Sequence, residues 1–161
     1  MTGDGCVWDT PELWIQSEVA RSIREKYQTL VWLEPGMDKV HEWINVQSKA
    51  VVSPEIYRTT GFVDIALFAR DPVDFRAVVE VKTGVVKGSE FYWDAQRIRY
   101  IRQLCPDVSG IVVGIYLNDP AKLIDRVAKS VGLEQSSICY LESGKTDSMN
   151  YVYGVIGAVI P

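Results

Sequence analysis

Hydrophobic positions near the start of the chain follow a helical spacing. Residues Asp9–Glu12 (DTPE) combine a capping side chain, a proline and an acid, an arrangement typical of the first turn of a helix. A helix is therefore predicted from Pro11 to Tyr27. Its apolar face collects Val19, Ala20, Ile23 and Tyr27.

Further along, apolar runs with extended spacing predict strands, and two segments predict helices. The helices are Ser89–Leu104 and the segment from Asp119-Pro120 to Val131. The strands are Thr29–Leu33, His41–Val52, Gly61–Ala69, Arg76–Thr83, Gly110–Leu117, Ile138–Leu141 and Tyr151–Val159. Early strands followed by strand–helix alternation predict an α/β fold, a mixed central sheet flanked by helices, in a single domain over residues 1–161.

The composition narrows the function classes. With 161 residues, 47% hydrophobic and 24% charged, the chain has the size and balance of an ordinary globular domain. No apolar stretch is long enough to span a bilayer, and the first residues lack a signal-peptide pattern. The three cysteines lack a CxxC spacing, which argues against a disulfide framework or zinc site and favours the cytoplasm. The net charge of −4 argues against a strongly basic nucleic-acid binder, but not against a carboxylate-based nuclease.

Three charged residues stand inside two otherwise apolar predicted strands. Alternate residues of a strand face opposite ways, so Glu80 and Lys82 in the run VVEVK share one face. Asp64 is the lone charge in the preceding run GFVDIALFA. If the two strands pair as a hairpin, Asp64 and Glu80 converge at one edge of the sheet. Placing charges there costs free energy unless each has a partner.

These residue types suit one kind of chemistry. Two carboxylates that share a site repel each other unless a cation lies between them. Carboxylate oxygens suit Mg²⁺ or Mn²⁺, which polarises a phosphoryl oxygen and lowers the pKa of bound water. Lys82 then stabilises charge in the transition state or holds the attacking water. The alternative is a plain structural domain in which Glu-x-Lys arose by chance on a half-solvated strand.

At these residues the sequence resembles the PD-(D/E)xK, or restriction-endonuclease-like, nuclease superfamily. The matching segments are GFVDIAL around Asp64 and VVEVK around Glu80 and Lys82. The resemblance implies a core of helix, three strands, helix and strand over roughly residues 11–117. It also implies that Asp64 and Glu80 bind Mg²⁺ or Mn²⁺ and that Lys82 assists phosphodiester hydrolysis.

A second match lies on the predicted helix after the Glu-x-Lys strand. Gln96 and Tyr100 have the Gln-x-x-x-Tyr spacing of RecB-like and phage-exonuclease branches. Residues four apart share a helical face, so both are candidates for the active centre, with Gln96 bonding the substrate or orienting Lys82. Arg97 is a candidate for substrate phosphate. Basic residues that extend this strip are Lys87, Arg99 and Arg102. The alternative is a solvated helix face, with Tyr100 a packing residue.

The resemblance further implies an acidic metal ligand from the first helix. Glu12 has apolar residues three, seven and eleven positions later and therefore faces the core. A first-turn acid is also explained by the helix dipole. Glu18 has the mid-helix placement that the resemblance favours, but the helical wheel points it away from the sheet. Both residues are kept as candidates.

Together these features predict a metal-dependent nuclease that hydrolyses phosphodiester bonds, with DNA as the favoured substrate and RNA left open. A domain of this size has little surface for sequence recognition, so a homodimer or a partner protein is expected. The alternative from another class is a non-cleaving domain of the same fold that binds nucleic acid or a protein.

Overall fold

The computed structural model describes residues 12–48, 61–69, 74–85, 88–117, 120–145 and 152–161. Its helices are α1 (Glu12–Tyr27), α2 (Met37–Ser48), α3 (Tyr92–Leu104) and α4 (Pro120–Val131). Its strands are β1 (Leu30–Leu33), β2 (Ile65–Phe68), β3 (Phe75–Val85), β4 (Ser109–Leu117), β5 (Ile138–Lys145) and β6 (Val152–Ile160). Short 3₁₀ turns at Ser89–Phe91 and Gln135–Ser137 lead into α3 and β5.

The strands form a mixed sheet in the order β1-β2-β3-β4-β6-β5. β1, β2 and β3 are antiparallel neighbours, β3 and β4 are parallel, and β6 runs antiparallel to both β4 and β5. Parallel neighbours need a crossover connection, and α3 provides it between β3 and β4. Within the described ranges the fold is α/β, with six strands and four helices, which confirms the predicted class at this level.

The two faces of the sheet pack against different helices. On one face, Ile15 and Ala20 of α1 contact Ile65, Val79 and Val81. On the other face, buried side chains of α2, α3 and α4 form the larger core together with the strands. Because alternate residues of β3 face opposite ways, Glu80, between Val79 and Val81, points toward the α3 side.

The predicted strand His41–Val52 is wrong, because residues 37–48 form helix α2. Met37, Val40 and Ile44 are buried, and their spacing of three, then four, is that of a helix. Aromatic and β-branched residues favoured the strand prediction, but the apolar period decides. Residues 49–52 lie outside the described part of the chain.

The other predicted elements are confirmed in type, with shifts at their ends. β2 is shorter than predicted, since before Ile65 the backbone makes a single bridge, from Phe62 to Gly36. Tyr27, expected on the apolar face of α1, is 61% exposed. Among the described residues, none of the helices is long and apolar enough to cross a membrane.

Candidate active site

Asp64 lies immediately before β2, in a segment that makes backbone hydrogen bonds to residues 34 and 35. The Val63 N–H donates to the Pro35 carbonyl, and the Asp64 carbonyl accepts from the Glu34 N–H, at 3.1 and 2.9 Å. Asp64 Oδ2 accepts a hydrogen bond of 2.6 Å from the Val81 N–H. This bond fixes the carboxylate against β3, between Glu80 and Lys82. The predicted convergence of Asp64 with the Glu-x-Lys strand is therefore present.

Glu80 is fully buried in the middle of β3, with 0% exposure. Its Oε1 accepts a hydrogen bond of 2.8 Å from Arg97 Nη1. Its Oε2 is buried and has no hydrogen-bond partner among the described residues. Burial raises the pKa of Glu80 well above its usual range; the Arg97 guanidinium opposes this shift, and the Asp64 carboxylate adds to it.

Lys82 points from the same strand face into a ring of carboxylates. Its Nζ lies 3.2 Å from Asp94 Oδ2 and 3.7 Å from Glu12 Oε1. Burial lowers the pKa of Lys82, but the carboxylates of Asp94, Asp64 and Glu12 outweigh it, so the pKa lies above its usual value. Lys82 is therefore an ammonium ion at neutral pH.

Asp94 belongs to the site and was not among the residues predicted from sequence. It lies in the first turn of α3, is 4% exposed, and contacts both Lys82 and Arg97. First-turn acids are usually explained by the helix dipole, which is why the residue did not stand out. The available signal was its spacing of three from Arg97, since residues three apart share a helical face.

Arg97, predicted to contact substrate, is engaged inside the site. Its Nη1 donates to Glu80 Oε1 and to the Phe62 carbonyl, and its Nη2 lies 3.5 Å from Asp94 Oδ1. Phe62 lies two residues before Asp64. Arg97 therefore connects α3, β3 and the loop that carries Asp64, and in this conformation it neutralises Glu80.

Gln96 and Tyr100 lie on α3, as predicted, but neither forms a hydrogen bond to the charged residues described above within the described part of the chain. Tyr100 is 9% exposed, and its ring packs edge-on against His41 of α2, 5.7 Å between centroids. Gln96 lies one turn earlier, is half-buried, and makes no hydrogen bond to Lys82 within the described residues. Tyr100 therefore packs between α3 and α2.

The two candidate acids of the first helix separate clearly. Glu12 lies at the start of α1, within 3.7 Å of Lys82 Nζ, and burial raises its pKa. Glu18 pairs with Arg21 at 2.6 Å on the outer side of α1, where the two side chains are 40% and 56% exposed. The structure brings Glu12 to the site and leaves Glu18 away from it.

The other predicted basic residues bond the backbone or fall outside the described ranges. Arg99 donates to the Val131 carbonyl, and Arg102 donates to the Val108 carbonyl at 2.7 Å. Lys87 lies outside the described residues. The predicted phosphate-facing strip is therefore not formed by Arg99 and Arg102 in this conformation.

The residues that converge here are Glu12, Asp64, Glu80, Lys82, Asp94 and Arg97, and we refer to them as the β3 cluster. Its four carboxyl groups face two cations, which leaves two negative charges uncompensated when all are ionised. The raised pKa values of Glu80, Asp94 and Glu12 have burial as their main cause, and repulsion among the carboxylates adds to it. When all four carboxyl groups are ionised, one divalent cation would balance the two surplus negative charges.

The cluster offers two carboxylates that suit Mg²⁺ or Mn²⁺, but within the described residues it lacks a third protein ligand. Glu80 Oε2 is a buried oxygen without a hydrogen-bond donor among the described residues, and the Asp64 carboxylate, bonded to the next residue Val81, is close enough to raise the pKa of Glu80. Mg²⁺ often takes one or two carboxylates and keeps several waters. In the described part of the chain, however, no three His, Cys, Asp or Glu side chains are arranged to hold a metal ion. The fit is that of a two-carboxylate site at Asp64 and Glu80.

Comparisons with family models, with curated proteins and with solved structures find no significant match to this chain.

Proposed function

We propose that this chain is a divalent-metal-dependent nuclease of the PD-(D/E)xK type, with DNA as its substrate. The observation that carries the proposal is the position of Asp64, whose carboxylate is bonded to the Val81 amide between Glu80 and Lys82. Two carboxylates and an ammonium thus meet at one place, and they come from different strand regions. A chance Glu-x-Lys on a structural strand would not need the Asp64 carboxylate beside it.

Asp64 and Glu80 are the residues that would hold Mg²⁺ or Mn²⁺. When bound, such an ion supplies Lewis-acid polarisation of a phosphoryl oxygen and a more acidic water molecule. Glu12, near the same ammonium, is the third carboxylate available to the site. Burial of Glu80 and the surplus negative charge of the β3 cluster both favour uptake of a cation.

Lys82 performs the electrostatic part of the reaction. Its ammonium is held 3.2 Å from Asp94 Oδ2, beside the two candidate ligands. As water attacks phosphorus, negative charge grows on the phosphoryl oxygens, and a cation fixed in advance stabilises that charge without reorganising. The side chain keeps 26% exposure, which leaves it accessible to a phosphodiester.

Aromatic side chains next to the site favour a nucleic-acid substrate. Tyr92 and Trp93, in the turn of α3 that carries Asp94, are 44% and 55% exposed and pack against each other with centroids 5.0 Å apart. Exposed aromatic rings bind nucleic-acid bases by stacking. They offer a contact for bases beside the charged cluster.

A second candidate function is a non-cleaving domain of the same fold that binds nucleic acid or a protein. The observation in its favour is that Arg97 already occupies Glu80 Oε1 at 2.8 Å. An internal cation in that position gives Glu80 a partner without a metal ion, so the second candidate treats the β3 cluster as a closed ion-pair network.

The two candidates differ in one assay. Supercoiled plasmid, linear duplex, single-stranded DNA and RNA are incubated with the wild-type chain, with and without Mn²⁺. The nuclease proposal expects Mn²⁺-dependent cleavage of at least one DNA substrate, lost in Asp64→Asn and kept in the control Asp74→Asn. Asp74 has the same chemistry but pairs with Arg76 at an exposed position. Absence of cleavage on all four substrates would leave the non-cleaving function.

A further inference from the structure

Asp94 has no assigned part in the site, yet its surroundings are unusual for a carboxylate. The side chain is 5% exposed, and its two oxygens face two different cations: Oδ2 lies 3.2 Å from Lys82 Nζ, and Oδ1 lies 3.5 Å from Arg97 Nη2. Burial of a carboxylate without cations is strongly unfavourable, so these two contacts oppose the effect of burial, which still raises the pKa of Asp94. An exposed first-turn acid would interact with the helix dipole equally well.

The geometry of β3 explains what Asp94 changes. Glu80 and Lys82 lie two residues apart on the same strand face, so their side chains are neighbours. Without other carboxylate partners, the Lys82 ammonium would be free to turn to Glu80 and to occupy Oε2, which has no hydrogen-bond partner among the described residues. Asp94 and Glu12 draw Lys82 the other way. The Glu80 Oε2 atom remains without a hydrogen-bond partner among the described residues, although Lys82 follows two residues later on the same strand face.

We infer that Asp94 is a positioning residue for the reaction: it holds the Lys82 ammonium at the site while keeping it off Glu80, so that a metal-binding oxygen and a catalytic cation exist side by side. The inference rests on the proposed nuclease function and deepens it. Asp94 touches neither metal nor substrate in this account, and it acts through Lys82.

The test uses Asp94→Asn in the full chain, with Asp125→Asn as the matched control. Asp125 is also a helical aspartate paired with a lysine, Lys129 at 2.7 Å, but it lies at an exposed position. We expect Asp94→Asn to lower the single-turnover cleavage rate about 100-fold, the cost of misplacing a catalytic group. The DNA concentration at half-saturation and the Mn²⁺ affinity from calorimetry should stay within about twofold of wild type. Asp125→Asn should change none of these quantities.

A double-mutant cycle with Lys82→Met separates positioning from a general structural role. If Asp94 acts through Lys82, then Asp94→Asn causes no further loss of the residual rate once Lys82 is absent. If the aspartate only supports the fold, Asp94→Asn lowers the cleavage rate by the same factor whether or not Lys82 is present. The same cycle on urea unfolding should give a coupling of about tenfold in the unfolding equilibrium constant, and it needs no activity.

Three results would overturn the inference. The first is a cleavage rate of Asp94→Asn within twofold of wild type. The second is loss of Mn²⁺ affinity in that variant, which would make Asp94 a ligand. The third is a double variant whose rate loss equals the product of the two single losses. If the wild-type chain cleaves no substrate, the proposed function fails and the inference falls with it. The unfolding cycle then still reports whether the Asp94–Lys82 pair is present. If Asp94→Asn does not fold, the cycle is run with Asp94→Ser.

Discussion

Strands β3 and β4 lie side by side and parallel, and the same helix, α3, packs across both, yet the two interfaces are opposite in character. On β3 the helix meets Glu80 and Lys82 through the side chains of Asp94 and Arg97. The residues paired with them on β4 are Val112 and Gly114. A Cβ added at Gly110 of β4 would collide with the Ile98 side chain of α3, and one added at Gly114 would lie 2.5 Å from a Val85 methyl group, so β4 has no free space at these positions.

The difference shows what a purely structural central strand requires in this fold. The helix-facing residues of β4 are glycines, Val112 and Tyr116, and these side chains are buried without charge. β3 occupies an equally central position but carries two ionisable side chains that need four further charged groups to hold them. Since packing alone is satisfied by residues such as those of β4, the charges on β3 need another explanation, and cation binding and catalysis provide one.

The strongest way to break this comparison is to transplant a carboxylate to β4. Val112→Asp places a charge next to Glu80 at a position with 0% exposure, without a dedicated cation. We expect destabilisation of about 5 kcal/mol, comparable with the whole stability of a small domain. Urea unfolding measures it. The neighbouring Val113→Asp, on the opposite and half-exposed face, should cost clearly less; equal costs would mean that α3 does not exclude charge from β4.

Removing the guanidinium from the β3 cluster should have the next largest effect. Arg97→Met leaves Glu80 buried without its hydrogen-bonded cation, which we expect to cost about 3 kcal/mol in metal-free buffer. The control is Arg76→Met, whose pair with Asp74 is exposed and worth less than about 1 kcal/mol. Addition of Mn²⁺ should recover part of the Arg97→Met loss. If both variants lose equal stability, Arg97 has no special part in holding Glu80.

The pH dependence of stability gives a smaller but more specific effect. The pKa of Glu80 is raised in the folded state above its usual 4.5. Between pH 4.5 and that raised pKa, the folded chain therefore binds more protons than the unfolded chain. Stability of the metal-free protein should therefore fall as pH rises above about 4.5. Glu80→Gln should make the decline shallower, as measured by urea unfolding from pH 4.5 to 8. A slope unchanged by this substitution would place the titrating groups elsewhere.

The local sequence pattern was enough to single out three residues of the β3 cluster. It could not predict the contacts that distant parts of the chain make with them. Asp64, Glu80 and Lys82 stood out because each is a charge in an otherwise apolar run, although Asp64 lies just before β2 and not within it. Asp94 did not, because its role depends on how α3 packs over β3, and that is set by distant contacts. For the same reason Arg97 was predicted to contact substrate phosphate or to lie on a solvated helix face, whereas its guanidinium turns inward to Glu80.

The fold shows the same limit. Strands with long apolar runs and helices with clear capping were predicted with small errors at their ends. α2 was mistaken for a strand because its residues have extended propensity, while the burial of Val40, Trp43 and Ile44 against the sheet stabilises the helix. Tertiary packing of an amphipathic face outweighed local propensity there.

The central claim is that the β3 cluster is a cation site and not a closed ion-pair network. Its most direct test is thermal unfolding of the wild-type chain and of Asp64→Asn across a Mn²⁺ titration, since a ligand that binds the folded state raises the midpoint. Asparagine keeps an oxygen to accept the Val81 N–H while removing one of the repelling charges. The account predicts a midpoint that rises with Mn²⁺ for wild type, and an Asp64→Asn variant that is at least as stable without metal and does not respond to it. A wild-type midpoint that ignores Mn²⁺, or an equal rise in both proteins, would contradict it.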